Sequence, residues 1–223
     1  MRSFLRQTDR LLRGRDVAGD ESPRSALPRL LLTIGLFGVL YGATMGTFGG
    51  LTAERWLQPV YSGLKVPLLL LVTFVLSLPS FFVLNTILGL RADFAYVLRS
   101  LVAMQAGITV ILASLAPFTA FWYASVEDYN AALMFNALMF AIASIAGQFT
   151  LKRSYKPLIA RDPRHRLMMR GWLLIYAFVG IQMGWVLRPF VGSPDAPTRF
   201  FRQGAWGNAY VEVFHIAGRA MGW

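Results

Sequence analysis

The residues of this chain that could carry acid, base or metal chemistry are few. The 223 residues include two histidines and no cysteine, which excludes disulfides, thiol nucleophiles and Cys-ligated metals. A bis-histidine haem needs two histidines on facing helices, whereas His165 lies in the basic stretch RDPRHR and His215 lies near the C-terminus. We interpret His165 as part of a basic surface, and Glu127 and Asp128 as a solvated turn. Glu212, three residues before His215, is half of a possible acid/base pair. No nucleophile elbow, phosphate loop or dinucleotide fingerprint is present, so the sequence predicts a protein that is not an enzyme.

Basic residues form two clusters that are suited to binding anions. The first is a predicted cytoplasmic basic loop, which could bind lipid phosphates or an acidic partner, or serve only to set topology; it comprises Lys152, Arg153, Lys156, Arg161, Arg164, Arg166 and Arg170. The second cluster mixes arginines with aromatic side chains near the C-terminus, a composition typical of membrane interfaces and protein contacts. We predict that it docks on a partner or on lipid through Arg188, Phe190, Arg199, Phe200, Phe201, Arg202, Trp206 and Arg219.

Glycines spaced by four residues mark one face of the first apolar segment: Gly38, Gly42, Gly46 and Gly50. Residues four apart share a helix face, and a face without side chains lets another backbone approach closely. This glycine seam therefore predicts a tight helix contact. A lipid, quinone or pigment lying against the groove is the alternative interpretation.

The elements that position these residues are predicted to be membrane-spanning helices. The chain is 56% hydrophobic and only 15% charged, with a mean hydropathy of +0.50, whereas soluble domains average about 25% charged residues. A bilayer core needs roughly 20 apolar residues in a helix. Five segments approach or exceed that length, namely Leu30 to Gly50, Val66 to Leu90, Leu101 to Ala124, Ala131 to Leu151 and Gly171 to Leu187. We expect an all-α polytopic bundle with no ionisable side chain deep in any span.

The distribution of charge predicts the topology and the domains. Sixteen of the 22 basic residues precede the first segment or fall in the second and fourth connections, which places the N-terminus in the cytoplasm. Residues 1–29 comprise a basic segment, which lies on the membrane or only sets topology, and a linker over 16–28. Residues 30–190 form the five-span bundle, and 191–223 form an extramembrane tail with a short interfacial helix after Trp206. Lys65 falls in the first loop of this scheme.

The layout of five spans after a polar N-terminal segment, joined by short loops, resembles that of the Yip1-type membrane proteins. The resemblance covers Leu30 to Leu187 and is one of layout, because the stretches YGATMG and SLPSFFVLN do not match the motif residues of that family. It implies a role in membrane organisation or as a trafficking adapter rather than catalysis. No functional residue is carried over from it.

We therefore expect an accessory, scaffold or assembly subunit of a larger membrane complex, located in the bacterial inner membrane. The glycine seam and the aromatic tail would make its contacts, and its partners would be membrane lipids and other integral subunits rather than nucleic acid. Two alternatives stay open. One is a carrier or flippase-like protein with a neutral polar path past Asn85 and Gln105. The other is a subunit that binds a pigment, quinone or lipid in an energy-converting complex, although no cofactor is specifically predicted.

Overall fold

The structure is a computed structural model that describes residues 23–202 and 205–211 of the chain. Five long α-helices and one 3-10 turn, Arg91–Asp93, make up most of the described part, which contains no strand. Residues 209–211 are also helical. All five helices are long and apolar enough to cross a membrane, which confirms the predicted all-helical, multi-pass bundle. They are α1 (Pro23–Met45), α2 (Leu57–Ile87), α3 (Phe94–Ser125), α4 (Tyr129–Arg161) and α5 (Arg164–Val186).

The helices extend beyond the apolar segments that predict them. The described part of helix α1 reaches back to Pro23, inside the predicted linker. Helix α2 begins at Leu57, nine residues before Val66, so Lys65 lies inside a helix rather than in the first loop. Polar residues flanking an apolar core can continue a helix, and hydropathy alone does not detect them. The assignment of Lys65 to the first loop is therefore wrong, and its side chain is 0% exposed.

Helix α3 is the most buried of the five and lies at the centre of the packing. Helix α1 packs between α2 and α3, α4 packs on α3, and α5 packs on α2. Helices α4 and α5 touch each other more lightly. Each span is antiparallel to the next, as the contacts of Gly38 with Pro67 and of Gly46 with Pro59 show for α1 and α2.

The bundle has two distinct ends. The loop end carries the short connections 88–93 and 162–163. The tail end carries the connections 46–56 and 126–128, and it also carries the residues that follow α5. At the tail end Asp128 caps α4, because its carboxylate accepts hydrogen bonds from the backbone amides of Asn130 and Ala131 at 3.0 and 3.3 Å.

Candidate functional site

The chain that follows α5 is bound to the tail end of the bundle through four consecutive backbone carbonyls. This tail segment, residues 187–202, contains no helix or strand, so its carbonyls need hydrogen-bond donors from elsewhere. Lys65 Nζ donates to the Pro189 carbonyl at 2.6 Å, and the Phe190 carbonyl accepts from Gln58 Nε2 at 3.4 Å and from Ser62 Oγ. The Tyr129 hydroxyl donates to the Val191 carbonyl at 3.1 Å, and Arg55 Nη2 donates to the Gly192 carbonyl at 2.9 Å. The tail segment is therefore held by side chains of α2, α4 and the loop before α2.

Three of these donors form a polar stripe on α2. Gln58, Ser62 and Lys65 are spaced by four and three residues, which places them on one helix face, and they are 2%, 0% and 0% exposed. Sequence reasoning missed this stripe because it assigned all three residues to a loop. The 4,3 spacing of polar residues ahead of an apolar run was the signal that could have identified it.

Lys65 is a buried cation whose described contacts are with neutral groups. Its ammonium donates to the Pro189 carbonyl and lies 4.9 Å from the centre of the Phe200 ring. Within residues 23–202 and 205–211, the ion pairs are formed by Asp93 and Asp162 at the opposite end of the bundle. The tail end thus holds a desolvated positive charge that no described carboxylate neutralises.

A cavity of about 870 Å³ lies beside this segment. Its walls come from residues of α2 and α4 together with Met45 of α1 and Gly184 of α5, and its rim comes from the tail segment. The lining residues are Met45, Gln58, Leu69, Tyr129, Leu133, Asn136, Ala137, Phe140, Gly184, Arg188, Pro189, Phe190, Val191, Gly192, Ser193, Ala196, Pro197, Arg199 and Arg202. The helix residues that line the cavity are mostly apolar but include the amides of Gln58 and Asn136, and the tail segment contributes three arginines at the rim.

The cavity extends well into the depth of the bundle. On α4, Phe140 lies eleven residues past Tyr129, which is about 16 Å at a rise of about 1.5 Å per residue. On α2, Leu69 lies at a similar distance from Leu57. This depth is close to half of a hydrocarbon core about 30 Å thick, so the cavity matches one leaflet in length.

A small polar network supports the wall of the cavity. The Tyr41 hydroxyl donates to Asn136 Oδ1 at 3.1 Å, and Asn136 Nδ2 donates to the Tyr123 hydroxyl and to the Ala132 carbonyl. Tyr123 in turn donates to the Met45 carbonyl at 3.4 Å. The network joins α1, α3 and α4, and it fixes the orientation of the one amide that α4 presents to the cavity.

Three glycines of the predicted seam contact α2 of the same chain. A Cβ on Gly38 would lie 3.2 Å from Pro67, and one on Gly46 would lie 2.7 Å from the Gln58 carbonyl oxygen. A Cβ on Gly42 would overlap the Ser62 carbonyl oxygen of α2. Gly50 lies past the end of α1 with φ +86° and nothing within 4 Å, so it serves the turn rather than a helix contact.

The residues of the predicted docking tail divide into bound and exposed groups. Phe190 packs on the core, Phe200 packs edge-on against Tyr61, and Arg188 lies 3.1 Å over the Trp185 ring. The other described members are exposed, namely Arg199, Phe201, Arg202 and Trp206. Of these four, Arg199 and Arg202 line the cavity. Arg219, Glu212, His215 and most of the predicted interfacial helix lie outside the described residues, as do residues 1–22.

The predicted basic loop consists of two helix ends joined by Asp162 and Pro163. Helix α4 runs ten residues past Leu151, and α5 begins at Arg164 rather than at Gly171. The basic side chains therefore project from helices. Four of them, with Phe149 and Ile159, line a groove of about 410 Å³, namely Lys152, Arg153, Lys156 and Arg166. Of the other three, Arg161 contacts Asp93, Arg164 contacts Asp162, and Arg170 is exposed.

Ion pairs fasten the helix ends at the loop end. Arg164 contacts Asp162 at 2.7 Å and donates to the Leu88 carbonyl at 2.9 Å. The hydrogen bonds from Arg164 hold the pKa of the Asp162 carboxyl below its usual range. His165 is 1% exposed, with Nε2 3.2 Å from Asp93, so its interpretation as part of a basic surface is wrong. The described residues contain no group of three or more His, Cys, Asp or Glu side chains that could hold a metal ion.

Comparisons with family models, curated proteins and solved structures found no match to this chain. The resemblance to Yip1-type proteins therefore stays a prediction.

Proposed function

We propose that this chain is a non-catalytic integral membrane protein that holds one membrane amphiphile in the cavity at its tail end. The observation that carries the proposal is the cavity itself, about 870 Å³ in volume, apolar along the helices and polar at its rim. Small-molecule and cofactor sites have volumes of about 300–1,000 Å³, with predominantly apolar walls and a few placed polar groups. This description fits a lipid-like molecule better than a water-soluble one.

The packing of the helices supports the same conclusion. A hydrocarbon chain gains dispersion contacts with every side chain that it touches, and these contacts add up along an apolar wall. Along a membrane-spanning helix, the available molecule is an acyl or prenyl chain, and Leu133, Ala137 and Phe140 form the i, i+4, i+7 stripe that would contact it.

The topology predicted from the basic residues belongs to this proposal. If the loop end faces the cytoplasm, the cavity opens towards the opposite leaflet, which in a bacterial inner membrane is the periplasmic one. Arg199 and Arg202 then lie on the side where positive charge is not needed for orientation. Binding a ligand gives these residues a role that topology does not.

A role as an accessory subunit is the second candidate, and exposed aromatic residues favour it. Trp206 is 82% exposed and Phe201 is 41% exposed at the tail end, and large exposed aromatic side chains are common in protein contacts. The glycine seam does not support this role, because α2 of the same chain already occupies it. The carrier hypothesis has less support, because neither Asn85 nor Gln105 lines the cavity and each is 1% exposed.

The substitution Gly184→Trp tests the proposed function by filling the cavity. A Cβ at Gly184 meets nothing within 4 Å, and the residue lines the cavity, so the indole has room to enter the volume that an acyl chain would use. We expect the affinity for co-purifying lipid to fall on the order of tenfold, the equivalent of about 1.4 kcal/mol. Native mass spectrometry of the purified full chain measures the bound fraction.

Gly35→Trp is the matched control. Gly35 also has nothing within 4 Å of a Cβ, but it lies on α1 and does not line the cavity. We expect this variant to retain lipid as the unmodified chain does. Equal lipid retention by the two variants, with both chains monodisperse, would overturn the proposed function.

A further inference from the structure

We propose that the molecule in the cavity is an anionic phospholipid, with its phosphodiester at Arg199 and Arg202 and one acyl chain directed towards Phe140. This inference rests on the function proposed above and adds the chemical class of the ligand. It depends on charge, whereas the proposed function depends on shape and apolarity, so the two can fail separately.

The rim of the cavity is positively charged. Arg188, Arg199 and Arg202 line it, and no Asp or Glu is among the described lining residues. Asp195 belongs to the same tail segment but does not line the cavity. Arginine presents a planar fork of N–H donors that matches phosphate oxygens, and hydrogen bonds between ionised groups are about twice as strong as neutral ones.

Two further cations lie behind this rim. Lys65 is 0% exposed and contacts the neutral Pro189 carbonyl and Phe200 ring. Arg55 uses Nη2 on the Gly192 carbonyl, and its buried Nη1 has no hydrogen-bond partner among the described residues. Because burying a positive charge away from an opposite charge is costly, these residues favour an anion at the tail end. A bound phosphodiester would supply that charge.

The cationic rim and the apolar wall line the same cavity, which favours an anion that is part of a lipid. The tail segment that carries Arg199 and Arg202 caps the helix ends, and the apolar lining begins directly beneath it at Leu133 on α4. The wall then continues to Phe140, about half the depth of a bilayer core. A phosphodiester attached to an acyl chain satisfies both regions at once, whereas a free phosphate compound satisfies only the rim.

The test compares three probes by native mass spectrometry on the full chain in detergent. They are phosphatidylglycerol, phosphatidylcholine with the same acyl chains, and free glycerol phosphate as a competitor. We expect phosphatidylglycerol to bind on the order of tenfold more tightly than phosphatidylcholine, and glycerol phosphate not to displace it. Replacing both rim arginines (R199Q with R202Q) should remove that preference, because it weakens phosphatidylglycerol more than phosphatidylcholine, whose choline cation already offsets the charge of its phosphodiester.

The matched control replaces two arginines at the loop end that line neither the cavity nor the basic groove, R91Q with R99Q, and changes the net charge equally. It should keep the preference for phosphatidylglycerol. Equal binding of the two lipids to the unmodified chain would overturn this inference and leave the proposed function standing. Displacement by glycerol phosphate, or an equal loss of preference in both double variants, would also overturn it. If neither lipid binds the unmodified chain, both the inference and the proposed function fail.

Discussion

The substitution Gly42→Ala is expected to lower the free energy of unfolding by about 1–3 kcal/mol, the range found when extra methyl groups are forced into a packed contact. The new Cβ would lie 2.9 Å from the Gly63 Cα and would overlap the Ser62 carbonyl. These atoms belong to the backbone of α2, so no side-chain rotation can relieve the overlap. Helices α1 and α2 would have to separate along their whole contact. The change in stability is measured by heating the purified protein in detergent and recording the fraction that stays monodisperse.

Gly35→Ala on the same helix is the control, and the expected sign of its effect is the opposite. A Cβ at Gly35 meets nothing within 4 Å, and alanine is favoured over glycine in a helix interior by about 1 kcal/mol. This variant should therefore be neutral or slightly more stable than the unmodified chain. Similar unfolding temperatures for the Gly35 and Gly42 variants would contradict the close contact between α1 and α2.

Trp172→Ala is expected to have the largest effect of any single substitution considered, a loss of about 3–5 kcal/mol. The indole is 0% exposed, and its ring centre lies 5.5 Å from Phe74, 5.0 Å from Phe81 and 5.4 Å from Tyr176. Its Nε1 has no hydrogen-bond partner among the described residues. The loss would come from packing between α5 and α2, so those two helices should separate first. Limited proteolysis at the 162–163 connection would detect this separation, and thermal unfolding would measure the loss of stability.

Leu174→Ala serves as the control for that experiment, because Leu174 is on the same helix and 74% exposed. Its truncation removes lipid-facing surface and should change stability by less than about 0.5 kcal/mol. A Trp172 variant as stable as the Leu174 variant would show that α5 is not anchored to α2 through the indole.

The spans were predictable from the sequence because bilayer thickness imposes a length that hydropathy detects directly. Their ends were not. Helix α2 starts at Leu57 because its first polar residues bond to carbonyls of the tail segment, 124 to 132 residues away in the chain. A window of apolar residues cannot register such a long-range contact, so Lys65 was assigned to a loop.

The candidate site was predictable only in part. The spacing of the glycines indicated a tight helix face, but no sequence pattern stated that α2 of the same chain would occupy it. Arg199 and Arg202 stood out because topology did not require their charge. The cavity beside them was not predictable, because Leu133, Ala137 and Phe140 have the spacing of any lipid-facing stripe. Only the position of the tail segment relative to α4 reveals the cavity.

The central claim is that the tail-end cavity holds one anionic phospholipid. Native mass spectrometry of the unmodified full chain, purified in mild detergent from membranes rich in phosphatidylglycerol, tests it most directly. We predict one retained phosphatidylglycerol per chain, which is lost in Gly184→Trp and kept in Gly35→Trp. A chain that carries no lipid, or lipid retention that Gly184→Trp leaves unchanged, would contradict the claim.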